Sequence, residues 1–204
     1  DFSNITKDEF EELLKGNIEI PLFEERYNII RNVSKIVNEK MNGNYYTFIK
    51  DVTLDTELFE IIVKYFPNFK DERIYNNKKI YFYKLAQLLT SDILHIRERK
   101  ENIKVDYSHL VGCADYKIPQ VMRGLGILEY SDKLSNIIDS KKEIDVNSEY
   151  EVEIRANMLV VIDLIKNKLE DRVCAIDIND YIWKQGRNKN IELEPYHLTR
   201  NTNY

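Results

Sequence analysis

The stretch "GCADYKIPQVMRGLGIL" places one carboxylate, Asp115, at a break between two apolar helical patterns. Two chemistries suit it. An Asp shortly before a proline in a helix's first turn is a natural cap, because its side-chain oxygen accepts from the free backbone N–H groups there. A carboxylate fixed at a turn can also stabilise positive charge on a substrate or activate a water. Position alone favours the cap. A second carboxylate, Asp92, stands four residues from both Leu88 and Ile96. Helical spacing therefore predicts that it shares their apolar face. A buried, unpaired carboxylate costs several kcal/mol, roughly, so Asp92 is expected to have a partner or a polar cavity. A structural ion pair and a site role are both open to it.

The elements that must hold these residues read as helices. "TKDEF" at 6 to 10 carries a capping signature before a first helix. "PLFEERYNIIRNVSKIVNEKM" repeats apolar residues at Leu22, Tyr27, Ile30, Val33 and Val37, with Pro21 at its start and "NGN" at its end. "DTELFEIIVKYF" is a further helix, closed by Pro67. "IYNNKKIYFY" suits a short hairpin turning at Asn76-Asn77. "YKLAQLLTSDILHIRERK", "NSEYEVEIRANMLVVIDLIKNKLED" and "AIDINDYIWKQGR" are helical, the second read as long and buried. "VDYSHLVGCADYKIPQVMRGLGIL" reads as helix, turn, helix, with Gly112 closing the first. The expected fold class is all-α, a helical bundle with one small β-hairpin, in a single domain over 1–204.

Composition excludes several classes. Hydrophobic residues make up 43% and charged residues 32% of the 204 positions, which reads as globular and soluble. No apolar run approaches the ~20 residues that span a bilayer, and "NMLVVIDLIK" is broken by Asp163. Two cysteines, Cys113 and Cys174, form no metal-ligand spacing and suit free thiols in a reducing, cytoplasmic setting. No metal or redox cofactor is implied. A formal net charge of −5 argues against a duplex nucleic-acid binder, which needs a basic face. The chain opens on Asp1 rather than Met, which leaves room for an earlier segment.

Two resemblances follow from the motifs. The hairpin-like turn, Asp115 and the helix ending "RGLGIL" loosely resemble the catalytic segment of helix–hairpin–helix DNA glycosylases, without their Gly-x-Gly turn. A closer match runs through "PLFEERYNII", "FYKLAQLLTSD", "CADYKIPQVMRGLGILEYSDKL", "EVEIRA" and "PYHLTRNTNY". In this order and spacing they resemble the queuosine salvage family, whose members are hydrolases that release queuine from queuosine 5′-phosphate. His197, Arg200 and Tyr204 match that family's C-terminal pattern, whereas Leu198 and Asn203 depart from it. Family members carry a further segment before the point at which this chain opens. The chain is thus expected to be the C-terminal portion of a longer architecture, and part of the pocket to come from that segment or from a second chain.

The resemblance implies a modified nucleotide as substrate and N-glycoside hydrolysis as the reaction. Cleavage builds positive charge at the anomeric carbon, which Asp115 would stabilise. Asp92 would read the donor edge of the 7-deazaguanine base, with the two roles open to exchange. Tyr83 or Tyr116 would stack on a ring. Lys84, His197 and Arg200 would meet phosphate or ribose, and Tyr204 would be buried with the docked C-terminus. Arg155 would orient a carboxylate or make an ordinary buried pair with Glu151 or Glu153. Two rivals remain: a DNA-repair-type base glycosylase, and a non-catalytic helical partner module of a split enzyme.

Overall fold

Thr6 caps the first helix, α1 (Lys7–Leu13), as its sequence predicts: its hydroxyl accepts from the Glu9 N–H while the Glu9 carboxylate receives the Thr6 N–H. In this computed structural model, which describes residues 1–50, 52, 54–170 and 172–204, the chain divides into two compact units, 1–68 and 69–204. The first unit holds α1, α2 (Phe23–Met41), α3 (Tyr45–Lys50) and α4 (Asp55–Tyr65). Asn42 and Gly43, both at positive φ, end α2 where "NGN" was expected to. Phe10, Phe23 and Tyr27 meet at centroid separations of 5.5, 5.8 and 6.5 Å and join α1 to α2. The short α3 was not foreseen from the sequence.

The second unit opens with the hairpin. Strands β1 (Glu72–Tyr75) and β2 (Lys78–Tyr81) pair antiparallel, Glu72 opposite Tyr81 and Tyr75 opposite Lys78. Asn76 and Asn77 form the two-residue turn at φ 47° and 60°, a left-handed conformation that asparagine tolerates. Helices α5 (Lys84–Glu101), α6 (Lys117–Gly124), α7 (Asp132–Asp139), α8 (Glu149–Lys168) and α9 (Ala175–Gln185) follow. Ser148 caps α8 by accepting from the Glu151 N–H. The last residue of the segment read as this helix, Asp171, lies outside the described residues.

One apolar core lies among α6, α8 and α9, with Ile118, Val121 and Met122 from the first, Val152, Met158 and Ile162 from the second, and Ile178 and Ile182 from the third. Phe82, Ala114 and Ala175 complete it. Each buried aliphatic side chain contributes on the order of 1.5–3 kcal/mol. The described chain is thus mostly helical with one small two-stranded sheet.

Three expectations are corrected. Residues 102–116 form no helix, so the turn at Gly112 is not preceded by one. The buried residues of α5 are Ala86, Gln87, Thr90, Ser91, Ile93 and Leu94, whereas Leu88, Asp92 and Ile96 face outward. Ile93 and Leu94 supply the apolar burial on that face and Gln87 finds the Val111 N–H there, so tertiary partners select it. Helix α8 buries one side only, because Val160 and Leu164 are exposed.

Candidate functional site

The non-helical segment before α6 is held by side chains from three helices. Gln87 of α5 accepts the Val111 N–H at 2.9 Å. Asn179 of α9 accepts the Cys113 N–H at 2.9 Å. Arg155 of α8 donates from Nε to the Ala114 carbonyl at 2.9 Å. A chain without helix or sheet must find other partners for its buried backbone groups, and these amide and guanidinium groups supply them. Gly112 sits at φ +112°, a conformation that disfavours other residues, and a Cβ there would come within 3.0 Å of Ile162 Cδ1.

The segment delivers Asp115. Its backbone N–H returns to the Cys113 carbonyl at 2.8 Å. Its Oδ1 accepts from the Lys117 and Ile118 N–H groups, each at 2.9 Å. Asp115 therefore caps α6, as its position alone predicts. The side chain is nonetheless 8% exposed, and burial raises its pKa, opposed by the two backbone donors and by the charges of Lys84 and Arg155. Only Oδ1 is engaged in the cap, so Oδ2 has no protein donor among the described residues. The neighbouring Cys113 thiol is pushed up to about 12 by burial and is no nucleophile near neutral pH.

Beneath Arg155 lies a buried ionic network. The guanidinium, fully buried, makes a bidentate pair with Asp71 through Nη1 and Nη2 and reaches Glu151 at 2.9 Å. Arg73 pairs with Asp71 at 3.0 Å and with Glu151 at 3.4 Å. Two carboxylates thus balance two guanidinium groups, which is what makes burial tolerable. The Arg155 guanidinium carbon lies over the rings of Phe82 and Tyr204, 4.0 and 4.4 Å from their centroids. Of the two partners foreseen for Arg155, the structure selects Glu151, while Glu153 is exposed and receives the Tyr75 hydroxyl.

The C-terminal residues dock on this network. Tyr204, half-buried, donates its hydroxyl to Glu151 at 3.1 Å, and His197 Nε2 lies 3.3 Å from the same hydroxyl. His197 is 3% exposed, and burial, with Arg155 nearby, lowers its pKa to about 4. It is therefore uncharged at neutral pH. Arg200 lies on the surface and pairs with Glu143 at 2.9 Å.

The other sequence candidates divide. Lys84 opens α5, half-buried and within electrostatic reach of Asp115. Tyr83 precedes it at φ 48° and donates to Glu72 at 2.7 Å, so its hydroxyl is engaged. Tyr116 is 39% exposed and packs on Tyr196 with centroids 4.7 Å apart. Asp92 is exposed and needs no buried partner. Sequence reasoning missed Gln87, Asn179, Asp71 and Arg73. Asn179 left a signal, an amide among Ala175, Ile178 and Ile182 on an apolar helix face, which marks a backbone partner, whereas Gln87 lies among Lys84, Thr90 and Ser91 and left none. Among the described residues no cluster of His, Cys, Asp and Glu could hold a metal ion, and no helix is long and apolar enough to cross a membrane.

A family model described as queuosine salvage protein matches residues 1–204. A protein of Sphaerobacter thermophilus named queuosine 5′-phosphate N-glycosylase/hydrolase is 32% identical across 99% of this chain and 64% of its own length. Proteins of the same name from Dictyostelium discoideum and Mus musculus are 33% and 32% identical, over 89% and 90% of this chain and 58% of their own length. The chain thus spans about six tenths of the length of these relatives. With the motifs around Asp115 and Arg155 lying inside a match that runs from the first residue to the last, the chain belongs to the queuosine salvage protein family.

Proposed function

We propose that this chain hydrolyses the N-glycosidic bond of queuosine 5′-phosphate and releases queuine for reuse in tRNA. The observation that carries this is Asp115, a buried carboxylate with one oxygen fixed by two backbone donors and the other without a protein donor. The C1′–N bond breaks with its electron pair passing to the base nitrogen. Water adds its oxygen to C1′, and its proton ends on that nitrogen. Positive charge at C1′ is offset by Asp115, whose rigid backing supplies the preorganisation such stabilisation needs. Its raised pKa makes it a better base toward the attacking water than an exposed carboxylate.

Around Asp115 the roles are distributed by position. Lys84 is the cation at hand for phosphate or ribose, with Arg200 as a second if its bond to Glu143 is exchanged for a phosphate oxygen. Tyr116 offers an exposed ring for the base, and Asp92 an exposed carboxylate for its donor edge. Arg155, His197 and Tyr204 act behind Asp115 rather than on the ligand, because they are tied to one another and to Glu151. The chemistry is that of helix–hairpin–helix base glycosylases, an acid after a turn, while the irregular 102–116 segment speaks against extending the likeness to the hairpin. Two free cysteines suit a cytoplasmic setting. The test is incubation with queuosine 5′-phosphate, of the chain alone and with the preceding segment of a relative supplied in trans. Free queuine is expected, with guanosine and adenosine monophosphates poor substrates; absence of queuine in both arms defeats the reading.

A further inference from the structure

We infer that Gln87 and Asn179 are positioning residues for hydrolysis, a clamp from two helices that fixes the segment carrying Asp115. The inference rests on the reading of Asp115 given above. Both amides are buried, 4% and 5% exposed, on helices whose other buried residues are mainly apolar or small. Each spends its carbonyl oxygen on one backbone N–H, of Val111 and of Cys113. These two donors flank Gly112, whose α-carbon is packed against Ile162 of α8 and Asn179 of α9. The peptide joining Ala114 to Asp115 is gripped from the opposite sense by Arg155, which donates to the Ala114 carbonyl. Three anchor points, at Val111, Cys113 and Ala114, leave residues 111–115 little freedom, and the tight Asp115-to-Cys113 turn passes that rigidity directly to the carboxylate.

The cap at Oδ1 cannot do this alone. It ties Asp115 to α6 but does not fix the chain that enters the turn. A reacting group displaced by about 1 Å loses on the order of 100-fold in rate, so the anchors bear on turnover even though neither amide needs to touch substrate. If they serve only to satisfy buried backbone groups, their loss changes stability and leaves turnover per folded molecule intact.

Gln87→Met keeps the side-chain length and removes the acceptor, whereas Gln87→Glu keeps an oxygen for the Val111 N–H one helical turn after Lys84. Asn179→Ala removes the second anchor from a different helix and serves if Gln87→Met is too unstable to assay. Each variant is assayed as folded protein, in the form of the preparation that releases queuine, for kcat, KM, the pH profile of kcat and melting temperature. The expected result is kcat lower by roughly 10–100-fold in Gln87→Met and Asn179→Ala, with KM within about twofold, and wild-type kcat in Gln87→Glu. The acid limb of kcat should also move to lower pH as water reaches Asp115. Unchanged kcat in folded Gln87→Met or Asn179→Ala, with only the melting temperature lowered, overturns the clamp. Wild-type turnover in Asp115→Asn, or no queuine from the parent protein, overturns the functional reading instead, so the two failures are distinct.

Discussion

Asp115 is both a cap and a candidate catalytic group, and the two roles pull stability and activity apart. Its folded pKa is raised by burial. The stability linked to that group is therefore full below the ordinary carboxylate pKa and is lost as pH rises through the folded value. Asp115→Asn retains an oxygen for the Lys117 and Ile118 N–H groups and removes the buried charge. Denaturant titration should find the variant at least as stable as the parent at neutral pH, with the difference closing below the usual carboxylate range. Its queuine release should fall by orders of magnitude. Wild-type release would leave Asp115 as a cap only. His197 gives the opposite pH dependence. Its pKa of about 4 lies below the unperturbed value, so stability is present above about 6.5 and is lost as pH falls toward 4. The linked loss is on the order of 3 kcal/mol. His197→Gln should flatten that part of the stability–pH curve; an unchanged slope would place the titration elsewhere.

Among the elements, α8 carries the network that underlies the site. Its Glu151 and Arg155 are one turn apart and meet Asp71 and Arg73 at the start of the hairpin. Arg155→Met leaves two buried carboxylates facing the single guanidinium of Arg73. Loss of one partner from such a network costs roughly 3–5 kcal/mol, which calorimetry or denaturant unfolding would measure. The docked tail adds to the same place. Deleting residues 197–204 removes the Tyr204 ring from Arg155 and its hydroxyl from Glu151, so the melting temperature should fall. If Arg200 also meets the substrate phosphate, queuosine 5′-phosphate should lose more turnover than the free nucleoside. Equal losses would assign the tail to packing alone.

At the scale of the whole chain, the net charge of −5 sets what the protein meets in solution. Duplex binding draws on counterion release at a basic face, and an acidic balance opposes it. Gel-shift titration at moderate salt should show no complex with duplex DNA. Formation of one would revive the DNA-repair reading. A small nucleotide escapes this argument, because one or two local cations such as Lys84 are enough to hold it.

Short-range rules account for the local elements, and the order of the motifs for the family. The Thr6–Glu9 box, the Asn76-Asn77 turn and the spans of α2, α4, α5, α8 and α9 follow from short-range rules, in which a residue's partners lie within four positions. Asp115 and Arg155 were legible as residues of interest for the same reason, since a turn before a proline and an (i, i+4) charge pair are local patterns. Tertiary structure alone decided which face of α5 is buried, because either the Leu88–Asp92–Ile96 stripe or the Ala86–Thr90–Leu94 stripe satisfies helical periodicity. It decided that residues 102–116 stay out of a helix, since their backbone groups find partners on Gln87, Asn179 and Arg155, which no local pattern announces. It also decided that Arg155 faces inward, toward an aspartate 84 positions away, where two carboxylates and two rings could compensate the burial of its charge.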